Sequence, residues 1–339
     1  MNIGRIALTF AIGVSGVIVF RAAGLPLPFL LGPMLACLVA ALAGLKLSSW
    51  APLTNAMRTI LGVAVGASFT PAVIVQMGDM LVSLALVPLF LLVCGVLGYP
   101  FLRRVAGFDA PTAFYSAMPG GLQDMLLFGE EAGGDPRAMS LLHATRVLLI
   151  VTVLPLILWL AWDIDLTLPP GAPASSLPWP EMAIMVVSGI AGWQIASRIG
   201  MFGASILGPL ILTAALALTG VIEHRPPAEA IMAAQFFIGL AVGVKYTGIT
   251  LTEVRRILGA GLGHAAILGG VAFVFAEAAL IMGLAPPLDA ILAFAPGGQA
   301  EMAVLAIVAG ADVAYVILHH VLRIVIVIVG APLIFRFLR

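Results

Sequence analysis

The chain has 339 residues, 62% of them hydrophobic and only 9% charged, and its 16 basic and 16 acidic side chains give a formal net charge of zero. Soluble domains carry about a quarter charged residues, so this is the composition of an integral membrane protein, with no segment left over for a soluble catalytic or DNA-binding module. The longest like-charge runs are the pairs Arg103-Arg104, Glu130-Glu131 and Arg255-Arg256, which leaves no footprint for nucleic acid, and Cys37 and Cys94 sit singly in apolar runs, which argues neither a disulfide framework nor a thiolate metal site.

Taken in chain order, residues 4–23 form a first apolar segment behind Arg5. It has the make-up of a signal peptide, but residues 181–199 occupy the equivalent place in the second half, so a retained span is expected. Segments 28–45, 58–77 and 80–102 follow, then a broken segment, 110–130, and a last one, 138–161. "DIDLTLPPGAPASSLPWP", residues 163–180, reads as a surface linker from its proline and serine content. The second half repeats the series: 181–199, 203–222, 228–247, 257–283, a broken segment 288–309, and 313–336. The expectation is an all-α polytopic protein with an N-terminal membrane repeat (1–162), the linker (163–180) and a C-terminal membrane repeat (181–339).

The repeat rests on register. Pro119, Gly120 and Gly121 recur 177 positions later as Pro296, Gly297 and Gly298. The same offset carries Asp124 to Glu301, Asp135 to Asp312, His143 to His320 and Arg146 to Arg323. It also carries "GVAVG" at 62–66 onto "GLAVG" at 239–243, while "LLGPM" at 30–34 matches "ILGPL" at 206–210, one residue closer.

Basic residues favour cytoplasmic loops, and here they fall with opposite parity in the two halves. In the first half they stand at Arg5, at Lys46 and Arg58, and at Arg103 and Arg104; in the second, at Arg198 and at Lys245, Arg255 and Arg256. That predicts an inverted-topology repeat with the linker outside and both termini cytoplasmic. Each half must then cross an odd number of times, so about five spans plus one re-entrant or broken Pro-Gly-Gly helix are expected. A hairpin reaching halfway and an unwound helix crossing fully both satisfy this.

Irregular backbone at membrane depth persists only where protein or water covers its polar groups. Proline removes a donor, glycines allow a tight reversal, and the helix that starts afterwards directs free amides and a positive dipole end at the tip. Paired half-helices of this kind mark the binding site of a secondary transporter. The candidate substrate- or ion-binding residues are Pro119, Gly120, Gly121, Gln123 and Asp124 in the first break and Pro296, Gly297, Gly298, Gln299 and Glu301 in the second. His143 with Arg146 and His320 with Arg323, each pair on one helix face of the following span, complete the set. A plainer reading makes the two acids and two arginines structural salt bridges. A sharper one has them bind a substrate carboxylate or phosphate and relay a proton, with the histidines titrating near neutral pH. Asp135 and Asp312 read as N-caps of the next span. Glu277 and His264 have no counterpart in the first half, and their residue types alone leave open whether they pair or line a cavity.

These motifs, "LLGPML/ILGPLI", "GVAVG/GLAVG" and "PGGLQDM/PGGQAEM", resemble the AbrB membrane-protein duplication family, often labelled an ammonia monooxygenase or a regulator of gene expression. More distantly, "GVKYTGITLTEVRRIL" followed by "APGGQAEM" is similar to the bile-acid and cation/proton antiporter superfamily. That resemblance implies two inverted repeats with interrupted helices, and a site just after each interruption, at Gln123 and Asp124 and at Gln299 and Glu301. The paired acids that such antiporters carry in the following helix are absent, which weighs against sodium coupling. Oxygen activation by copper or iron needs several ligands in one place, whereas His319 and His320, the one adjacent pair of the five histidines, point about 100° apart on a helix. A regulatory effect fits membrane residence only if it is indirect. The function expected is therefore a proton-coupled secondary transporter of a small organic solute, an anion among the candidates, in the bacterial cytoplasmic (inner) membrane. No catalytic residue, metal or cofactor is expected, and the partners are lipid and a small-molecule substrate, with a homodimer left open. A membrane oxygenase and a membrane sensor are the competing readings.

Overall fold

A computed structural model of the chain describes residues 3–250 and 253–338, and all regular structure among them is helical. In chain order the helices are α1 (Ile3–Ala22), α2 (Pro28–Leu42), α3 (Ala51–Gly66), α4 (Pro71–Pro100), α5 (Ala110–Ala117), α6 (Leu122–Glu131) and α7 (Pro136–Trp162). After the linker come α8 (Trp179–Arg198), α9 (Ala204–Leu218), α10 (Ala228–Val244), α11 (Gly259–Ile281), α12 (Pro287–Phe294), α13 (Gln299–Ala309) and α14 (Val313–Leu338). Single π-helical turns, Phe101–Val105 and Val254–Leu258, end α4 and lead into α11.

Both broken segments are broken where expected, and most of the remaining boundaries fall within a few residues of the sequence reading. The third segment is the exception. Residues 58–77 were expected to be one element, but α3 ends at Gly66 and α4 begins at Pro71, so the stretch is shared between two helices. The cause is local: a proline disfavours helical backbone in the residue before it, here Thr70, and Ser68 and Phe69 close a turn onto Val65 and Gly66.

Among the described residues five stretches are long and apolar enough to cross a membrane: Ile3–Ala22, Met80–Val105, Pro136–Trp162, Arg255–Ile281 and Val313–Phe337. Helices α2 and α9, at 15 residues each, are roughly 22 Å long at 1.5 Å per residue, short of the ~30 Å hydrocarbon core. This is a polytopic membrane protein.

The chain forms two compact units, and each draws on both halves of the sequence. The first comprises Met1–Met77, Leu154–Gly248 and Ala303–Ala314. Its helices pack through glycine, as helices in lipid do when backbone must approach backbone. Gly16 of α1 lies against Gly32 of α2, and Gly192 of α8 against Gly208 of α9. Gly62 and Gly66 of α3 face the carbonyls of Ile206 and Leu210 on α9, while Gly239 and Gly243 of α10 face those of Leu30 and Met34 on α2. Each contact recurs at the spacing of the sequence repeat, and α3 and α10 each pack on a helix from the opposite half. The linker is tied down within this unit: Leu27 N–H donates to Leu166 C=O, and Ala228 N–H to Ala172 C=O.

The second unit comprises Gly78–Val153, Ile249–Met302 and Tyr315–Arg339 and holds both breaks. Phe90 of α4, Phe275 of α11 and Phe294 of α12 meet with ring centroids 5.5 to 5.8 Å apart. At one end the basic loops converge. Arg103 donates to Phe108 C=O, Arg256 donates to Gly107 C=O and lies over the Phe108 ring, and Arg137 pairs with Glu253 at 2.6 Å.

Candidate functional site

Helix α5 starts where the Asp109 carboxylate accepts the Thr112 N–H, and it stops at Met118, which turns extended ahead of Pro119. Gly121 then opens α6 as its N-cap. The second break copies this: α12 ends at Ala295, extended ahead of Pro296, and α13 begins at Gln299 with Met302 N–H bonded to Gly298 C=O. Two short helices thus end, and two begin, inside one unit, leaving orphan carbonyls on one side of each break and orphan amides on the other.

The carbonyls are met by the cationic side chains. Arg323 donates from Nη1 to Ala295 C=O at 2.9 Å and from Nη2 to Gly297 C=O at 3.0 Å. Its neighbour one turn back, His320, donates from Nε2 to Leu292 C=O at 2.9 Å, which leaves Nδ1 to accept from Arg323 Nη2 at 3.2 Å. In the first break Arg146 donates from Nη1 to Met118 C=O at 3.3 Å, the position matching Ala295, and His143 is buried a turn before it. The amide ends are met by the acids. The Glu301 carboxylate folds back against Gly298 and that of Asp124 against Gly121, so closely that a Cβ on either glycine would push the carboxylate away. An acid at the third helical position turned onto the N-cap complements the positive end of the helix dipole.

This sets aside the plainer of the two sequence readings, salt bridges between these acids and arginines. Among the described residues neither Arg146 nor Arg323 forms an ion pair; Arg137 at the start of α7 pairs with Glu253, and Glu181 at the start of α8 bonds the His224 ring. It also revises the picture of a bare amide tip, since the chain's own carboxylates lie over both helix starts. Both guanidiniums are buried, each 3% exposed, and the Nε of each has no partner. Of the other expected site residues, Gln299 is half-buried with Nε2 unpartnered, whereas Gln123 is exposed. Asp135 caps α7 through the Arg137 and Ala138 amides, as expected, and Asp312 stands immediately ahead of α14. His264 of α11 is fully buried beside Gly98 of α4 and Ala117 of α5, next to the first break.

Residue types alone did not single out Ser83, Tyr315 and His319. All three are buried, and the Ser83 hydroxyl bonds both the Tyr315 hydroxyl and His319 Nε2, the latter at 2.8 Å. A serine in an apolar helix carries no signal of its own; the one hint was that Tyr315 and His319 lie one turn apart on the helix that carries Arg323. No three His, Cys, Asp or Glu side chains gather as a metal site among the described residues. The basic loops line a surface recess of about 310 Å³, bounded by Phe108, Arg137, Glu253 and Arg256.

A family profile, "Transition state regulatory protein AbrB", matches residues 29–339. The chain belongs to the AbrB family. Two AbrB-type relatives align over most of their lengths. "Uncharacterized protein YhjN" of Bacillus subtilis (strain 168) is 28% identical over 298 residues, covering 83% of this chain and 77% of that protein. "Putative regulator AbrB" of Escherichia coli (strain K12) is 25% identical over 325 residues, covering 94% and 92%.

Proposed function

We propose that this AbrB-family protein is a proton-coupled secondary transporter of a small organic anion in the bacterial inner membrane. We further read it as two inverted repeats of about five spans each, with cytoplasmic termini and the substrate held where the two helix breaks present Arg146 and Arg323. The observation that carries this reading is the pair of buried guanidiniums with no counter-carboxylate among the described residues. An unpaired charge at membrane depth is costly, ~2.5 to 3.5 kcal/mol even on insertion scales, and such charges face substrate or ion pathways. Backbone carbonyls satisfy some of the N–H groups of these arginines but cancel no charge, and each Nε remains free for another acceptor. An anionic cargo supplies both the acceptor and the missing negative charge.

The recurrence of glycine contacts at the repeat spacing supports a duplicated scaffold. The convergence of Arg103, Arg137 and Arg256 at one end supports placing those loops in the cytoplasm. The word "regulator" in the relative's name fits an indirect effect, in which moving a metabolite alters what a separate sensor detects.

The test is uptake into liposomes of a panel of labelled mono- and dicarboxylates, phosphate esters and neutral analogues, with and without an inward proton gradient. Saturable uptake of an anion, accelerated by external acid, is the expected result. Protein that is folded and inserted yet moves nothing in the panel overturns the reading, and binding without flux points to a sensor instead.

A further inference from the structure

We propose that His319, held between Ser83 and Tyr315, is the site that binds the coupled proton, rather than Asp124, Glu301 or the histidines beside the arginines. For a neutral ring the geometry sets the direction of the hydrogen bonds at His319 and Ser83. His319 Nδ1 lies 2.8 Å from Tyr315 C=O, which only accepts, so Nδ1 carries the hydrogen. Nε2 therefore holds the lone pair, and the Ser83 hydroxyl, 2.8 Å away, donates to it. Having used its hydrogen, Ser83 Oγ accepts from the Tyr315 hydroxyl. The neutral cluster is a one-way chain from phenol to serine to imidazole that ends in an accepting nitrogen.

Adding a proton reverses the bonds at Ser83. Nε2 converts its lone pair to an N–H bond and donates to Ser83 Oγ, whose own hydrogen swings toward the Tyr315 oxygen, and the Tyr315 O–H, displaced from Ser83, turns away from it. The Ser83 backbone carbonyl is close enough to serve as a further acceptor for the new N–H. By contrast, His320 has Nε2 committed to Leu292 C=O and Nδ1 pointed at by the Arg323 guanidinium, so protonation there would set two cations face to face. Burial within a unit that holds both breaks, one helical turn before Arg323, makes His319 responsive to whatever charge occupies the arginines.

The titratable group shown to act on it is His320 on its own helix, with Arg323 one turn on and in turn within electrostatic reach of Arg146 on α7 and Cys94 on α4, and Ser83 on α4 and the Phe294 ring on α12 complete its surroundings. Arg323, one turn along the same helix, carries a like charge to a protonated His319, and an anion bound at the arginines would offset that charge. Proton and anion binding then favour each other, which is the coupling a symporter requires.

The inference rests on the transport reading only for the use made of the proton, and its test needs no substrate. Protein labelled with 15N-histidine in lipid bilayers is followed by solid-state NMR from pH 8 to pH 4, and the His319 signals are assigned by their loss in His319→Gln. Tyr315→Phe, which keeps the ring's bulk, gives a second assignment should the glutamine variant fail to fold. The expected result is an Nδ1–H neutral ring at pH 8 that becomes doubly protonated on acidification, with a midpoint displaced by about half a pH unit or more in Tyr315→Phe. A ring that stays neutral throughout, or that carries its hydrogen on Nε2 at pH 8, overturns the assignment. A ring that titrates in a protein without flux keeps the proton site and retires the transporter.

Discussion

Arg323 directs its guanidinium at two backbone carbonyls instead of a carboxylate, and that choice sets what its removal does. Arg323→Ala leaves Ala295 and Gly297 without donors, and each buried carbonyl so stranded costs about 1 to 3 kcal/mol. The expected outcome is a clear drop in melting temperature together with loss of flux, while Arg323→Lys, which keeps the charge, recovers part of both. Glu301→Gln separates the two roles differently. It keeps an acceptor over the start of α13 but removes the charge, so stability should change by no more than about 1 kcal/mol while uptake is abolished. Wild-type uptake in both variants would leave these side chains as helix caps and nothing more. Sequence reasoning found all four charged groups because a charge in an apolar run is conspicuous. Of its two readings, the salt bridges that net neutrality suggested are not what the helix ends form. The orphan carbonyls that recruit the arginines come into being only when the helix ends, and a sequence does not display them.

At the level of the element, the breaks were the most legible part of the chain. Proline followed by two glycines has few ways to continue a helix, and both copies interrupt where the residues say. The boundary between α3 and α4 was harder, since apolar composition runs through it unbroken and only Thr70-Pro71 marks the turn. On the basic side, the Glu253 carboxyl is held below the ordinary glutamate range, first by the Thr250 hydroxyl and amide and then by Arg137. A carboxyl depressed by folding adds stability above its unfolded pKa and loses it as pH falls through the folded value. Thermal melts of wild type and Glu253→Gln should therefore differ at pH 7 and converge toward pH 3; a constant gap would show that the carboxylate's charge is irrelevant to the loop.

For the whole molecule, the reading requires the linker and the paired-arginine loops to lie on opposite sides of the membrane. Both native cysteines, Cys37 and Cys94, are buried, so an introduced cysteine is read against a silent background. In intact cells with the outer membrane opened, Ser176→Cys should react with an impermeant maleimide and Val105→Cys should not until the inner membrane is permeabilised. Labelling of both from one side would remove the inverted arrangement.

The way α3 leans on α9 and α10 on α2 also constrains how the chain is made. When the ribosome has finished the linker, α3 has been synthesised but its binding surface has not, so the first half must wait in the bilayer, incompletely packed, until residues beyond 203 arrive. Severing the gene at the linker should accordingly give two fragments that are each degraded when produced alone and persist when produced together.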